Sequence, residues 1–145
     1  MTVKSRLLEL LEQHKGETLS GEDIGRELSC TRAAVWKAVN SLRQEGYPIE
    51  AGPNKGYMLA RESNLISAEG IRLFLEDPQV EIKIFDAISS TNLEARQLAV
   101  SGMAGHGSFV VAMEQTVGRG RRGREFYSPK GSGIYLSVIL EPKGT

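Results

Sequence analysis

The chain has 145 residues, of which 40% are apolar and 25% charged, and its 18 Lys and Arg residues balance its 18 Asp and Glu residues. This composition is typical of a globular protein and excludes an overall disordered, coiled-coil or collagen-like chain, although the balanced charge leaves room for a local basic patch. The single cysteine, Cys30, excludes an internal disulfide, and the two histidines lie far apart in sequence. No apolar run approaches the roughly 20 residues of a membrane span. We therefore expect no metal site, no membrane association and a cytoplasmic location.

The first part of the chain predicts three helices followed by a hairpin. Ser20 with Asp23 three residues on is a capping signal for the second helix, and Thr31 can cap the third. Apolar residues at helical spacing predict the buried faces, which are Val3, Leu7, Leu10 and Leu11 in the first helix, Ile24 and Leu28 in the second, and Val35, Val39 and Leu42 in the third. Two short β-like runs, 47–51 and 57–59, flank a Gly-Pro-Asn-Lys-Gly turn and predict a hairpin.

The second part predicts strands alternating with helices. The expected elements are a helix over 67–76, a strand over 82–85, a helix that opens at Thr91 with Leu93, Leu98 and Val100 as its apolar positions, and strands over 108–114 and 134–140. The apolar pattern is weakest around residues 60–66. We therefore divide the chain into a winged helix-turn-helix domain (1–62), a linker with a short helix (63–80) and a second domain (81–145).

The third predicted helix carries a polar face opposite its buried stripe. A helix of this size fits the DNA major groove, where Asn can pair with adenine and Arg or Lys can reach guanine or phosphate. The candidate DNA-binding residues are Thr31, Arg32, Ala33, Trp36, Lys37 and Asn40, with Lys55 at the hairpin tip. The alternatives are a solvated helix face or a protein-contact surface.

The segment 118–124 is the most unusual stretch, because it alternates glycines with four arginines and contains no acid. Glycines let backbone N–H groups approach an oxyanion, and arginines bind phosphate with planar forks. The segment lacks the Gly-Lys-Ser/Thr ending of a P-loop. We expect it to be mobile without ligand and ordered by a polyanion; a solvated basic loop or an RNA-binding tract is the alternative.

Small polar residues open the helix after the strand at 82–85. Residues 89–92 read Ser-Ser-Thr-Asn, and Gln115 directly follows the strand predicted over 108–114. Such residues are usually helix caps, but some of them can also hydrogen-bond a polar ligand. The neutral amide of Gln115 suits an uncharged amide-like or ureido group.

Together these motifs resemble the biotin protein ligase family, in particular its bifunctional members that also repress the biotin operon. The resemblance rests on segments 31–37, 52–57, 89–92 and 114–124, and on Ser-Pro at 128–129. It implies an α+β chain in which a winged helix-turn-helix domain precedes an incomplete α/β biotin-ligase catalytic domain, here residues 81–145.

The resemblance also implies a two-step reaction. Biotin and ATP, with Mg²⁺, give biotinyl-5′-AMP, which a lysine of the biotin carboxyl carrier protein of acetyl-CoA carboxylase then attacks. The implied roles are catalysis for Arg119 and Arg121, biotin binding for Ser90, Thr91, Asn92, Gln115, Arg119, Gly120 and Arg121, and phosphate binding for Gly118, Arg122, Gly123 and Arg124. Operator DNA is the implied second partner, and a homodimer is the implied adenylate-bound form.

The family continues into a lysine-containing segment that is not found among these residues. Residues 81–145 are too few to close a catalytic core, so we expect the chain to be a fragment that does not biotinylate a carrier. The alternatives are a non-enzymatic winged-helix regulator that senses a nucleotide-like anion, an Arg/Gly nucleic-acid-binding module, and a lipoate-type ligase.

Overall fold

The computed structural model of the chain describes residues 1–52, 56–77 and 79–142, which pack as two units, Met1–Glu76 and Asp77–Thr145. Helices dominate the first unit and a small sheet dominates the second, so the predicted α+β class is confirmed. In the described part of the chain, no helix is both long and apolar enough to cross a bilayer. The division into 1–62, 63–80 and 81–145 stays a prediction.

The first unit has the element order predicted for a winged helix-turn-helix domain. Its elements are α1 (Val3–Gln13), α2 (Gly21–Glu27), α3 (Arg32–Gln44), β1 (Ile49–Gly52), β2 (Gly56–Leu59) and α4 (Ala68–Arg72). The two strands pair antiparallel, with Ile49 opposite Leu59.

Short polar side chains cap the three long helices of this unit. Thr2 Oγ1 accepts a hydrogen bond from the amide of Ser5 at 3.1 Å, and Ser20 Oγ accepts one from the amide of Asp23 at 3.0 Å. Thr31 Oγ1 does the same for Ala34 at 3.2 Å. The predicted caps at Ser20 and Thr31 are therefore confirmed, and each satisfies one of the free N–H groups at a helix start.

The predicted apolar stripes meet in one core between the helices and the hairpin. Its most deeply buried side chains are Leu7, Leu11, Ile24, Val35, Val39, Leu42 and Leu59. Leu28 is also buried, and Val3 packs partly buried against the same cluster. The i, i+4, i+7 spacing of Val35, Val39 and Leu42 thus fixes which face of α3 turns inward.

Gly56 lets the hairpin approach the segment before α2. Leu19 and Tyr57 exchange backbone hydrogen bonds of 2.9 and 2.8 Å. A Cβ at Gly56 would lie 2.1 Å from the Leu19 carbonyl oxygen, and the residue has φ +82°. Only glycine combines this backbone conformation with this contact.

The short helix α4 belongs to the first unit by its contacts. It is shorter than the helix predicted over 67–76, and Ser67 caps it by accepting from the Gly70 amide at 3.0 Å. The same hydroxyl donates to Glu12 Oε1 of α1 at 3.2 Å. Nearby, burial raises the pKa of the Tyr47 phenol, and the carboxylates of Glu69 and Glu12 act in the same direction.

The second unit is built on a three-stranded sheet with one helix. Its elements are β3 (Ile82–Phe85), α5 (Thr91–Val100), β4 (Phe109–Ala112) and β5 (Tyr135–Val138), with a 3₁₀ turn at Arg121–Gly123. The strand order is β3-β4-β5, in which β3 and β4 are parallel and β4 and β5 antiparallel. Because parallel neighbours need a crossover, α5 connects β3 to β4. Strands β4 and β5 lie within the predicted runs 108–114 and 134–140 but are shorter.

Of the three apolar positions named for α5, Leu98 lies in the core, whereas Leu93 and Val100 do not. Leu98 is buried with Ala95, whereas Leu93 and Val100 are 47% and 83% exposed. The buried residues follow Thr91 by four and seven positions, which is one helical face. Leu93 and Val100 point to the opposite side, because each residue advances the helix by about 100°.

Leucine-to-alanine changes on α5 will distinguish its two faces. We expect Leu98→Ala to lower the free energy of unfolding of the second unit by about 2–5 kcal/mol, because it leaves a cavity against the sheet. Leu93→Ala on the same helix is the matched control and should cost under about 1 kcal/mol. Urea denaturation followed by circular dichroism measures both changes, and equal losses would contradict the assigned face.

Candidate functional site

The outward face of α3 presents most of the residues predicted to bind DNA. Arg32, Ala33, Trp36 and Lys37 are exposed, and Asn40 is partly buried. Thr31 is exposed but uses its hydroxyl as the helix cap. Lys55 lies outside the described residues. The structure therefore brings Ala33, Trp36, Lys37 and Asn40 to one side of a helix whose other side is held by the core.

Trp36 is the most unusual member of this face. Its side chain is 62% exposed, although Trp is among the residues with most to gain from burial. An exposed aromatic side chain between Ala33 and Lys37 gives the face an apolar contact surface beside its positive charge. Such a combination can contact both a thymine methyl group and a phosphate.

The arginine-rich segment, predicted as a loop, forms a hairpin. We call residues 115–128 the arginine hairpin. Gln115 pairs with Ser128 and Arg119 with Glu125 as antiparallel bridges, and the Phe126 amide donates to the Gly118 carbonyl at 2.9 Å. Arg122, at the tip, has φ +61°. All four arginines, at 119, 121, 122 and 124, are exposed.

A groove of about 1000 Å³ runs along the two strands of the arginine hairpin. It is lined by Glu114, Gln115, Thr116, Val117, Gly118, Arg119, Gly123, Arg124, Glu125, Phe126, Tyr127, Ser128 and Pro129. Five of the predicted ligand residues therefore share one groove: Gln115, Gly118, Arg119, Gly123 and Arg124. Gly120, Arg121 and Arg122 lie in the same hairpin but not in the groove lining.

The amide side chain of Gln115 joins the groove to the start of α5. Gln115 Oε1 accepts from the Thr91 amide at 2.9 Å and from Thr91 Oγ1 at 3.1 Å, while Nε2 donates to Ser128 Oγ at 3.1 Å. Thr91 Oγ1 also pairs with Ser137 Oγ of β5 at 2.9 Å. Thr91, Gln115 and Ser128 thus form one hydrogen-bonded set, although they are far apart in sequence.

Of the other polar residues at the start of α5, Ser90 is buried and Asn92 is exposed. Ser90 is 6% exposed and is the residue preceding the helix, yet its side chain makes no capping hydrogen bond. Small polar residues at a helix start are usually caps, but the Ser90 side chain does not cap α5. Instead, the Gln115 side chain satisfies the Thr91 amide. Asn92 is exposed on the helix surface, and Ser89 accepts from the Val117 amide through its carbonyl at 2.9 Å.

Two site residues were not predicted from the sequence, namely Ser128 as a hydrogen-bond partner of Gln115 and Ser137 as a partner of Thr91. Ser128 is 2% exposed, which is unusual for a polar residue. The only signal in the sequence is its position directly before Pro129 at the end of the hairpin. Among residues 1–52, 56–77 and 79–142, no cluster of three or more His, Cys, Asp or Glu residues could hold a metal ion.

Comparison with protein families divides the chain in the same way as its elements. Residues 3–58 match the HTH domain, and residues 84–145 match the biotin/lipoate A/B protein ligase family. The first part of the chain thus resembles a helix-turn-helix domain and the second part the biotin/lipoate ligase family, which confirms the resemblance drawn from its motifs.

Two curated relatives match nearly the whole of this chain, and a third matches part of it. This chain is 41% identical over 143 residues to the bifunctional ligase/repressor BirA of Bacillus spizizenii, covering 97% of this chain and 44% of that protein. It is 37% identical over 138 residues to the bifunctional ligase/repressor BirA of Escherichia coli, covering 95% and 41%. A biotin–[acetyl-CoA-carboxylase] ligase of Paracoccus denitrificans matches over 55 residues at 47% identity, covering 38% and 22%. The chain therefore spans less than half the length of these relatives.

Two glycines of the arginine hairpin should respond differently to alanine. A Cβ at Gly118 would lie 2.4 Å from the Phe126 carbonyl oxygen, so we expect Gly118→Ala to open the hairpin and cost about 1–3 kcal/mol. A Cβ at Gly120 would lie 3.5 Å from its nearest neighbour, so Gly120→Ala is the control and should be tolerated. Hydrogen exchange of the Phe126 amide and urea denaturation measure both effects; an intact hairpin in Gly118→Ala would contradict the geometry.

Proposed function

We propose that this chain is part of a biotin protein ligase that also represses biotin synthesis genes by binding their operator. The observation that carries the proposal is the groove of the arginine hairpin. The hydrogen-bonded side-chain amide of Gln115 lies at the base of this hairpin, and its four exposed arginines lie toward the tip. This arrangement lies in the segment that matches the ligase family, and the exposed face of α3 lies in the segment that matches the HTH domain. Biotin and ATP are the proposed substrates.

In the proposed first step, a biotin carboxylate oxygen attacks the α-phosphorus of ATP, giving biotinyl-5′-AMP and releasing pyrophosphate. In the second, the uncharged amine of a carrier lysine attacks the adenylate carbonyl, and AMP leaves. The carrier is the biotin carboxyl carrier protein of acetyl-CoA carboxylase. Mg²⁺ accompanies ATP as part of the substrate.

The Gln115 amide supplies recognition of the biotin ring in this proposal. Its oxygen already accepts two hydrogen bonds from Thr91, and one of its two Nε2 protons goes to Ser128. The second Nε2 proton is left for a ligand, so Gln115 acts as a donor, and a ureido carbonyl oxygen is a suitable acceptor. Ser90, whose hydroxyl makes no capping hydrogen bond, adds a second polar group, and Thr91 and Asn92 complete the proposed biotin residues.

The arginines act on the phosphate end of the substrates. Arg119 and Arg121 neutralise the charge that develops on the α-phosphate and the departing pyrophosphate, and Arg122 and Arg124 extend the positive field. Gly118, Gly120 and Gly123 keep the backbone open to phosphate oxygens. Closure of the hairpin over the adenylate also excludes water, which would hydrolyse the mixed anhydride.

The DNA-binding activity is proposed for Thr31, Arg32, Ala33, Trp36, Lys37, Asn40 and Lys55. Operator binding is proposed to occur as a homodimer in the adenylate-bound form, in the cytoplasm. Exposure of the α3 face and burial of the opposite stripe support this assignment, because the helix can enter a groove without exposing its core.

Adenylate binding by the hairpin can be tested without carrier transfer. We expect Arg121→Ala to weaken binding of biotinyl-5′-AMP about tenfold or more, since it removes charge-assisted hydrogen bonds to phosphate. Arg96→Ala is the control, because Arg96 is an exposed arginine of α5 outside the hairpin. Isothermal titration calorimetry measures both affinities. Equal effects of the two substitutions would contradict the assignment. If a protein of the same length as the curated relatives binds the adenylate but never labels a carrier, a non-enzymatic anion-sensing regulator is favoured.

The DNA assignment can be tested on the face of α3. We expect Lys37→Ala and Asn40→Ala each to weaken binding about tenfold, because a good base-edge contact is worth about 1–3 kcal/mol. Lys4→Ala is the control; Lys4 is a surface lysine of α1 that pairs with Glu45 at 2.7 Å. Gel-shift titration against the duplex that the unmodified chain selects from a random pool measures all three. Unchanged affinity in both α3 variants would show that another surface reads the DNA.

A further inference from the structure

Ser128 occupies the point where the arginine hairpin closes. Its backbone carbonyl accepts from the Gln115 amide at 3.0 Å. Its side chain accepts from Gln115 Nε2 at 3.1 Å and donates to the Phe126 carbonyl at 3.1 Å. With 2% exposure, the residue has little access to water that could replace these bonds.

The proton inventory of this set fixes the orientation of the Gln115 amide. A serine hydroxyl has one proton, and at Ser128 that proton goes to the Phe126 carbonyl, so toward Gln115 the hydroxyl can only accept. At the other end, the backbone N–H of Thr91 can only donate. The amide must therefore turn its oxygen to Thr91 and its nitrogen to Ser128, since the flipped orientation would place donor against donor.

Close packing holds the Ser128 hydroxyl in this place. A Cβ at Gly118 would lie 2.6 Å from Ser128 Oγ and 2.4 Å from the Phe126 carbonyl oxygen, so the outgoing strand of the hairpin passes directly beside the hydroxyl. The Phe126 amide in turn donates to the Gly118 carbonyl at 2.9 Å. The same few atoms therefore orient the Gln115 side chain and close the base of the hairpin.

We propose that Ser128 is a positioning residue that holds the Gln115 amide in one orientation and ties it to the base of the arginine hairpin. Together with the Thr91 amide, Ser128 thereby determines which polarity Gln115 offers to a ligand. The ligand-binding part of this inference rests on the proposed function, whereas the orientation of the amide is a property of the chain alone.

The test compares the unmodified chain with Ser128→Ala by NMR. In Ser128→Ala we expect the two Nε2 protons of Gln115 to shift together, and the Gln115 and Phe126 backbone amides to exchange about five- to tenfold faster, because a hydrogen bond is lost. The Gln115 side-chain signals are assigned by their disappearance in Gln115→Leu. Ser132→Ala is the matched control. Ser132 lies just after the hairpin, and its hydroxyl also donates to a nearby backbone carbonyl, that of Pro129 at 3.0 Å.

Unchanged Gln115 signals in Ser128→Ala, or the same changes in Ser132→Ala, would overturn the proposal. Should Ser128→Ala fail to fold, Ser128→Cys keeps an unbranched side chain with a somewhat larger atom in place of the oxygen and replaces the hydroxyl with a poor acceptor, and it must shift the Gln115 protons in the same sense. A biotin titration of the same proteins separates the two ideas. Shifted Gln115 signals in a chain whose unmodified form binds no biotin support the positioning role and count against the proposed function.

Discussion

The hydrogen bonds of the Gln115 side chain are the constraint on which the candidate ligand site depends. They connect three segments that are distant in sequence: the start of α5 through Thr91, the end of β4 through Gln115, and the close of the arginine hairpin through Ser128. Leaving one such buried group without a partner costs about 1–3 kcal/mol, so each segment fixes the position of the other two. A neutral amide can serve this purpose because it offers both a donor and an acceptor without the desolvation penalty of a charge.

Positive charge is gathered at the other end of the hairpin. The chain as a whole is neutral, yet segment 118–124 holds four arginines and no acid. Their mutual repulsion is reduced by exposure, because water and salt screen surface charges. Arg122 also has a positive φ of 61°, a conformation that costs a non-glycine residue of the order of 1 kcal/mol. The repulsion between the arginines favours a bound anion, which would reduce it.

Local signals made the first unit largely predictable. Ser20 and Thr31 cap helices through neighbours three residues away, and the stripe of Val35, Val39 and Leu42 is visible in the spacing alone. The sequence does not predict features that depend on residues distant along the chain. Leu93 is as apolar as Leu98, and only the position of the sheet decides which is buried. The hairpin was missed because glycines and arginines carry no strand pattern, and Ser128 was missed because its partner is 13 residues away.

The uncharged Gln115 amide lies at the base of the hairpin and the four arginines lie toward its tip, while Glu114 and Glu125 also line the groove. The amide and the arginines give the hairpin a direction. A ligand with one uncharged polar end and one anionic end would gain from only one of its two orientations along such a surface. In the reversed orientation, the phosphate would lie beside the Gln115 amide, which offers one N–H. The uncharged end of the ligand would then lie beside the arginines, which would have no charge to bind. Under the proposed function, biotinyl-5′-AMP is such a ligand, with a ureido ring at one end and a phosphate near the other. The Gln115 network would then select the ring end through hydrogen-bond polarity, while the arginines would select the phosphate end through charge, so that orientation would depend on both together.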